Sequence, residues 1–124
     1  MRLDDHSYIG IFHSVDFNQQ YDRRNHSTDV IIKDTRYYMG AYIFNKDPPF
    51  EITAISNHPI VPPHAYQGRK FQLSRIYLDY VVYPIGLIVR PELDLVHISY
   101  GYNDESAFLI TLSLSDILYD MNYL

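Results

Sequence analysis

Residues Leu95 to Leu114 read LVHISYGYNDESAFLITLSL. Two apolar-alternating runs flank the polar stretch Gly101, Tyr102, Asn103, Asp104 and Glu105, a pattern that predicts strand, tight turn, strand. A strand sends successive side chains to opposite faces. Val96, Ile98, Tyr100 and Tyr102 therefore share one face, and Leu95, His97, Ser99 and Gly101 the other. In the second run Phe108, Ile110, Leu112 and Leu114 form the heavier face, and Ala107, Leu109, Thr111 and Ser113 the lighter one. The turn sets Asp104 at an exposed tip beside an aromatic residue. A carboxylate next to a flat apolar surface suits a cluster of sugar hydroxyls, although Asp and Asn are also ordinary turn residues.

Outward from this hairpin, Tyr77–Val89 is strand-like but interrupted by Pro84 and Gly86, which predicts a bulge or a bend. Arg90–Asp94 reads as a turn, with Glu92, Asp94 and Glu105 as solvated turn carboxylates. On the other side, Ser113 and Asp116 stand at capping-box spacing ahead of one or two helical turns over Ser115–Met121, with Ile117 and Leu118 inward. Near the start, Tyr8–Val15 alternates Ile9, Ile11, His13 and Val15 against Tyr8, Gly10, Phe12 and Ser14, and predicts a strand. Asp16–Thr35 has no sustained period and reads as a long connection. Arg36–Phe44 resumes strand character, with Gly40 allowing close approach of a backbone or a ligand. Pro48 and Pro49 end it. Phe50–Ser56 is a short half-exposed strand, and Pro59, Pro62 and Pro63 make an extended surface crossing.

Composition narrows the classes. A chain of 124 residues is one domain, 1–124, large enough to bury a core. Thirteen tyrosines tilt propensity toward strand. The net charge of −5 includes no basic block, so nucleic acid lacks an electrostatic partner surface. Without cysteine there is no disulfide, no thiol nucleophile and no cysteine-ligated zinc. The opening MRLDDHSYIG is acidic where a secretory signal is basic and then apolar, and no apolar run reaches membrane-spanning length. The expectation is a soluble cytoplasmic protein with no membrane or nucleic-acid partner. His58 and His64 lie among prolines without companion carboxylates, so no metal and no cofactor is expected.

Ile9–Ser14 and Val96–Gly101 share a faint pattern, each leading through a polar stretch to a second strand. Repeated short antiparallel units are how propeller blades are written. The fold class expected is all-β, with antiparallel sheets making about two blades of a propeller-like domain and a short C-terminal helical turn. Two blades leave open sheet edges, which predicts self-association or pairing with a second chain.

Five motifs in order resemble the C-terminal region of glycoside hydrolase family 130, the mannoside phosphorylases and related hydrolases. Phe12-His13-Ser14-Val15 stands where that family writes Tyr-His-Gly-Val. Tyr37-Tyr38-Met39-Gly40-Ala41 resembles its Tyr-Arg-x-Gly-Ala, and Asp47-Pro48 its following Asp-Pro. Val82-Tyr83-Pro84-Ile85-Gly86 is similar to Val-Phe-Pro-x-Gly, and Tyr100-Gly101-Tyr102-Asn103-Asp104 to Tyr-Gly-x-x-Asp. The resemblance implies a five-bladed propeller whose central funnel binds a mannoside. It implies sugar contact for Asp104 and substrate or phosphate contact for His13, with Tyr100 and Tyr102 as further substrate-binding candidates that also suit packing. Ser14 replaces the family's Gly and Tyr38 a cationic residue. The early blades that carry the catalytic Asp have no counterpart here, so no catalytic residue is expected. The implied function is an oligosaccharide-binding or degenerate glycoside-processing module that is non-catalytic alone. Two alternatives are a structural or interaction protein without a sugar site, and one piece of a split active phosphorylase.

Overall fold

The computed structural model describes residues 1–21, 30–63, 76–103 and 106–124. The architecture is all-β with one short helix. Its strands are β1 (Ser7–Tyr21), β2 (Val30–Asn45), β3 (Ile52–Ser56), β4 (Ile76–Tyr80), β5 (Val82–Arg90), β6 (Leu95–Tyr102), β7 (Ser106–Ser113) and β8 (Met121–Tyr123), with α1 (Leu114–Tyr119) between the last two. The first sheet runs β1-β2-β3-β8, with β4 alongside β2, and the second runs β5-β6-β7. All pairs are antiparallel except β2 with β4, which is parallel and departs from the wholly antiparallel sheets expected. Among the described residues no helix is long and apolar enough to cross a membrane.

Strand alternation places the core. In the central hairpin Val96 faces Leu112, Ile98 faces Ile110 and Tyr100 faces Phe108 across the β6–β7 ladder, and Val96, Ile98 and Tyr100 are buried. Val82 and Val89 of β5 join them. From the first sheet come Ile9, Met39, Ala41, Ile43 and Ala54, and from the C-terminal segment Leu114, Ile117 and Met121, all in one cluster. The inner faces of both sheets thus share a single core, and β5 lies against β1 and β2. The interruption expected near Pro84 and Gly86 is a register shift between those two residues.

Two expectations are corrected. Asp16–Thr35 is not one long connection: strand backbone continues to Tyr21 and resumes at Val30, with Asp16 paired to Arg36 and Gln20 to Ile32. A ladder is held by main-chain groups that polar residues carry as well as apolar ones, so the missing apolar period did not forbid it. The second concerns Met121, expected at the end of the helical turns: α1 stops at Tyr119 and Met121 opens β8, whose three residues are too few to show a period. It pairs with β3, Ala54 to Tyr123 and Ser56 to Met121, and joins the end of the chain to the first sheet.

Side-chain clasps fix the ends of these elements. Ser113 caps α1 by accepting from the Asp116 amide at 3.2 Å, as the capping spacing predicts. Asp94, in left-handed conformation at φ 55°, accepts from the Ser115 amide at 2.7 Å and from the Ser115 and Ser113 hydroxyls at 2.8 and 2.9 Å. The carboxylate of Asp120 accepts from the His58 amide at 2.9 Å and meets its Nδ1 at 2.5 Å. These contacts tie the exit of β3 to the exit of α1.

Such bonds make both carboxylates more acidic in the fold. The Ser115 hydroxyl, then the Ser115 amide and the Ser113 hydroxyl, hold Asp94 below its ordinary value. The His58 side chain and then its amide do the same for Asp120. A carboxyl whose folded value is depressed adds stability that is fully present above its unfolded value and is lost as pH falls through the folded one. Asp94→Asn is therefore expected to lower the urea midpoint at neutral pH. The gap from wild type should narrow as pH drops through the carboxyl range, and a gap independent of pH would refute this role.

Candidate functional site

The inner-face alternation of β1 carries Ile9 and Ile11 into the core and continues outward to His13. There the side chain is exposed, opposite Met39 on β2. Its ring lies 4.5 Å from the ring of Tyr83 on β5, tilted by 44°, and 6.0 Å from that of Tyr37 on β2, at 27°. His13 thus meets one aromatic ring from each sheet. Tyr83 is paired with Gly101 on β6 and is itself exposed. An imidazole beside partly exposed phenol rings offers a nitrogen for hydrogen bonding next to apolar ring faces.

The turn after β6 is anchored close to this cluster. Asn103 is buried at φ 51°, and its amide donates to the Val81 carbonyl at 2.8 Å while its Oδ1 accepts from the Val81 amide at 3.1 Å. Val81 stands two residues before Tyr83, so the turn is locked to the strand that presents that ring. The Asp104 expected to contact sugar lies outside the described residues.

Tyr100 and Tyr102 occupy a different place. Tyr100 is 5% exposed and stacks on Phe108 at 5.9 Å, while Tyr102 meets Phe108 edge-on at 6.1 Å. These rings, with Pro63, Leu109, Ile110 and Thr111, line a cavity of about 370 Å³. Burial, and secondarily Tyr102, push the Tyr100 hydroxyl above its ordinary value, so at neutral pH it is a protonated donor. His13 does not line this cavity. The two tyrosines are brought together, and His13 instead meets Tyr83 and Tyr37.

The sequence reading missed a second aromatic arrangement, on the outer face of the first sheet. Gly10 pairs with Tyr42 and Phe12 with Gly40, and each ring lies over its partner glycine. A Cβ at Gly10 would fall 2.5 Å from the Tyr42 ring, and one at Gly40 2.5 Å from the Phe12 ring. The group lying nearest Gly40 is a neighbouring side chain, the Phe12 ring. Tyr8 and Phe44 extend the row, with Tyr8–Phe44 at 5.6 Å, Phe44–Tyr42 at 5.5 Å and Tyr42–Phe12 at 6.3 Å. The available signal was reciprocal, glycine in one strand matched to an aromatic in the other, and it appears only once the register is known. Beyond Phe12, a cavity of about 310 Å³ is lined by Ser14, Tyr38, Ser56, Asn57 and His58 among others.

Among the described residues no group of three or more histidines or acidic side chains is arranged to hold a metal ion. Scans against protein-family models, curated proteins and solved structures give no match to this chain.

Proposed function

We propose that this chain is a sugar-binding module of propeller-like build, related to the mannoside phosphorylases and without turnover of its own. The observation that carries the reading is the exposed ring of His13, 4.5 Å from Tyr83 where the two sheets meet. A pyranoside presents a C–H face that stacks on an aromatic ring and a rim of hydroxyls that need donors and acceptors. In this reading Tyr83 and Tyr37 take the apolar face and the His13 imidazole takes a hydroxyl, with the Asp104 carboxylate, which the resemblance assigns to sugar contact, as a strong bidentate acceptor. The Asn103 clasp supports it, because the turn that leads into Asp104 is held to the strand carrying Tyr83. Tyr100 and Tyr102 line a separate cavity and take no part in this site. Two sheets of one chain sharing a core support the propeller-like build.

An oligomannoside titration followed through the amide spectrum tests the assignment. Shifts are expected around His13, Tyr37, Tyr83 and Asp104, and Tyr83→Ala should weaken binding about tenfold, equivalent to roughly 1.4 kcal/mol. No shift at millimolar ligand would overturn sugar binding. Phosphate-dependent release of mannose 1-phosphate would overturn the claim that the chain does not turn over a glycoside.

A further inference from the structure

The cavity of about 370 Å³ lined by Tyr100, Tyr102 and Phe108 shares no residue with the His13 cluster, and its chemistry is different. β6 and β7 build it through their register. Tyr100 faces Phe108 and Ile98 faces Ile110, which sets two rings beside an aliphatic side chain on one face of the hairpin. Phe108 lies at 30° to Tyr100 and at 73° to Tyr102. The three rings therefore offer both faces and edges, the two surfaces through which aromatic rings attract one another. Phe108 and Leu109 are 51% and 67% exposed, so the lining is open to solvent on that side. Among the described residues the lining holds no acidic or basic side chain.

One polar group in this lining is unanswered. Tyr100 is buried, and among the described residues its hydroxyl has no hydrogen-bond partner. Burial keeps that hydroxyl protonated at neutral pH. It is a donor without an acceptor, a costly condition that a bound molecule can relieve. The Thr111 hydroxyl is already engaged, 2.9 Å from Nδ1 of His97. We infer that this cavity binds an uncharged, planar aromatic molecule of about two fused rings that carries an acceptor for the Tyr100 hydroxyl. Three features select that class. A lining without charge gives a carboxylate, a phosphate or an ammonium group nothing to pair with. A saccharide would press a rim of hydroxyls against a lining that is mostly hydrocarbon, which costs free energy. The volume lies near the lower end of the roughly 300–1,000 Å³ typical of small-molecule sites, which suits a compact ring system rather than an extended chain.

Quinoline and naphthalene have the same shape and differ by one ring nitrogen, which is an acceptor. Titrating each into the intact chain, followed through the amide and side-chain spectrum, tests the inference. Quinoline is expected to shift Tyr100, Phe108 and Ile110 and to leave His13 and Tyr83 unmoved. Naphthalene should bind about fivefold more weakly, the factor that one net hydrogen bond supplies. Tyr100→Phe removes only the hydroxyl, so quinoline should fall to the level of naphthalene while naphthalene itself is unchanged. Because that hydroxyl has no partner in the fold, the same variant should keep at least the wild-type urea midpoint. Phe108→Ala, which truncates a half-exposed ring, should weaken both probes. The inference would be overturned by an absence of shifts with millimolar quinoline, by shifts confined to other parts of the chain, or by a preference for quinoline that survives Tyr100→Phe. A lowered midpoint for Tyr100→Phe would also sink it, since the hydroxyl would then already be satisfied. Oligomannoside shifting Tyr100 and Phe108 where quinoline does not would hand the cavity to sugar instead.

Discussion

Ile98→Ala is expected to destabilise the fold by about 2–5 kcal/mol, the range for removing a buried aliphatic side chain and leaving a cavity. Ile98 has no exposed surface. It sits on the middle strand of the second sheet, between Leu87 on β5 and Ile110 on β7, where the surrounding ladders limit collapse into the space. Leu109→Ala, in the same hairpin but on the outward face, removes a side chain that is 67% exposed and should cost within about 0.5 kcal/mol. Urea denaturation separates the two, because the midpoint should fall for Ile98→Ala with little change in slope. Similar losses at 98 and 109 would mean that the hairpin does not bury the face assigned to it.

The contrast between these positions follows from alternation alone, and this is where the sequence was most legible. Leu95–Leu114 contains its own strand period, turn and cap, all decided by residues within a few positions of one another. Ser113 caps α1 for the same local reason. Features that depend on partner choice were not legible. His13 falls in an alternating run whether it meets Tyr83 or water, and that contact arises because β5 is brought across the first sheet. The match of Gly10 with Tyr42 and Phe12 with Gly40 depends on a register that two well-separated strand segments do not encode individually. Burial of the first face is what specifies such a register, and Ile9 opposite Ile43 with Ile11 opposite Ala41 supplies it. Stretches without a sustained apolar period extend β1 and β2 beyond this part, and β8 is too short for any period to appear.

Asn103 joins fold and candidate site in one residue, and Asn103→Ala is expected to cost about 2–4 kcal/mol in stability. Two terms add. Losing Oδ1 leaves the partly buried Val81 amide without that acceptor, worth about 1–3 kcal/mol, and placing alanine at φ 51° adds about 1 kcal/mol, because a Cβ crowds the following carbonyl in the left-handed region. Asn103→Gly relieves the second term and not the first, so it should be more stable than Asn103→Ala by about 1 kcal/mol while remaining below wild type. The same pair of variants separates stability from recognition. Glycine accepts the backbone conformation and keeps the amide bond to the Val81 carbonyl but loses the Oδ1 bond that steadies the strand presenting Tyr83, so oligomannoside affinity should fall in both variants under conditions where both are fully folded. Equal stability of the two variants would remove the backbone term. Unchanged affinity in a folded Asn103→Gly would disconnect the turn from the His13–Tyr83 cluster.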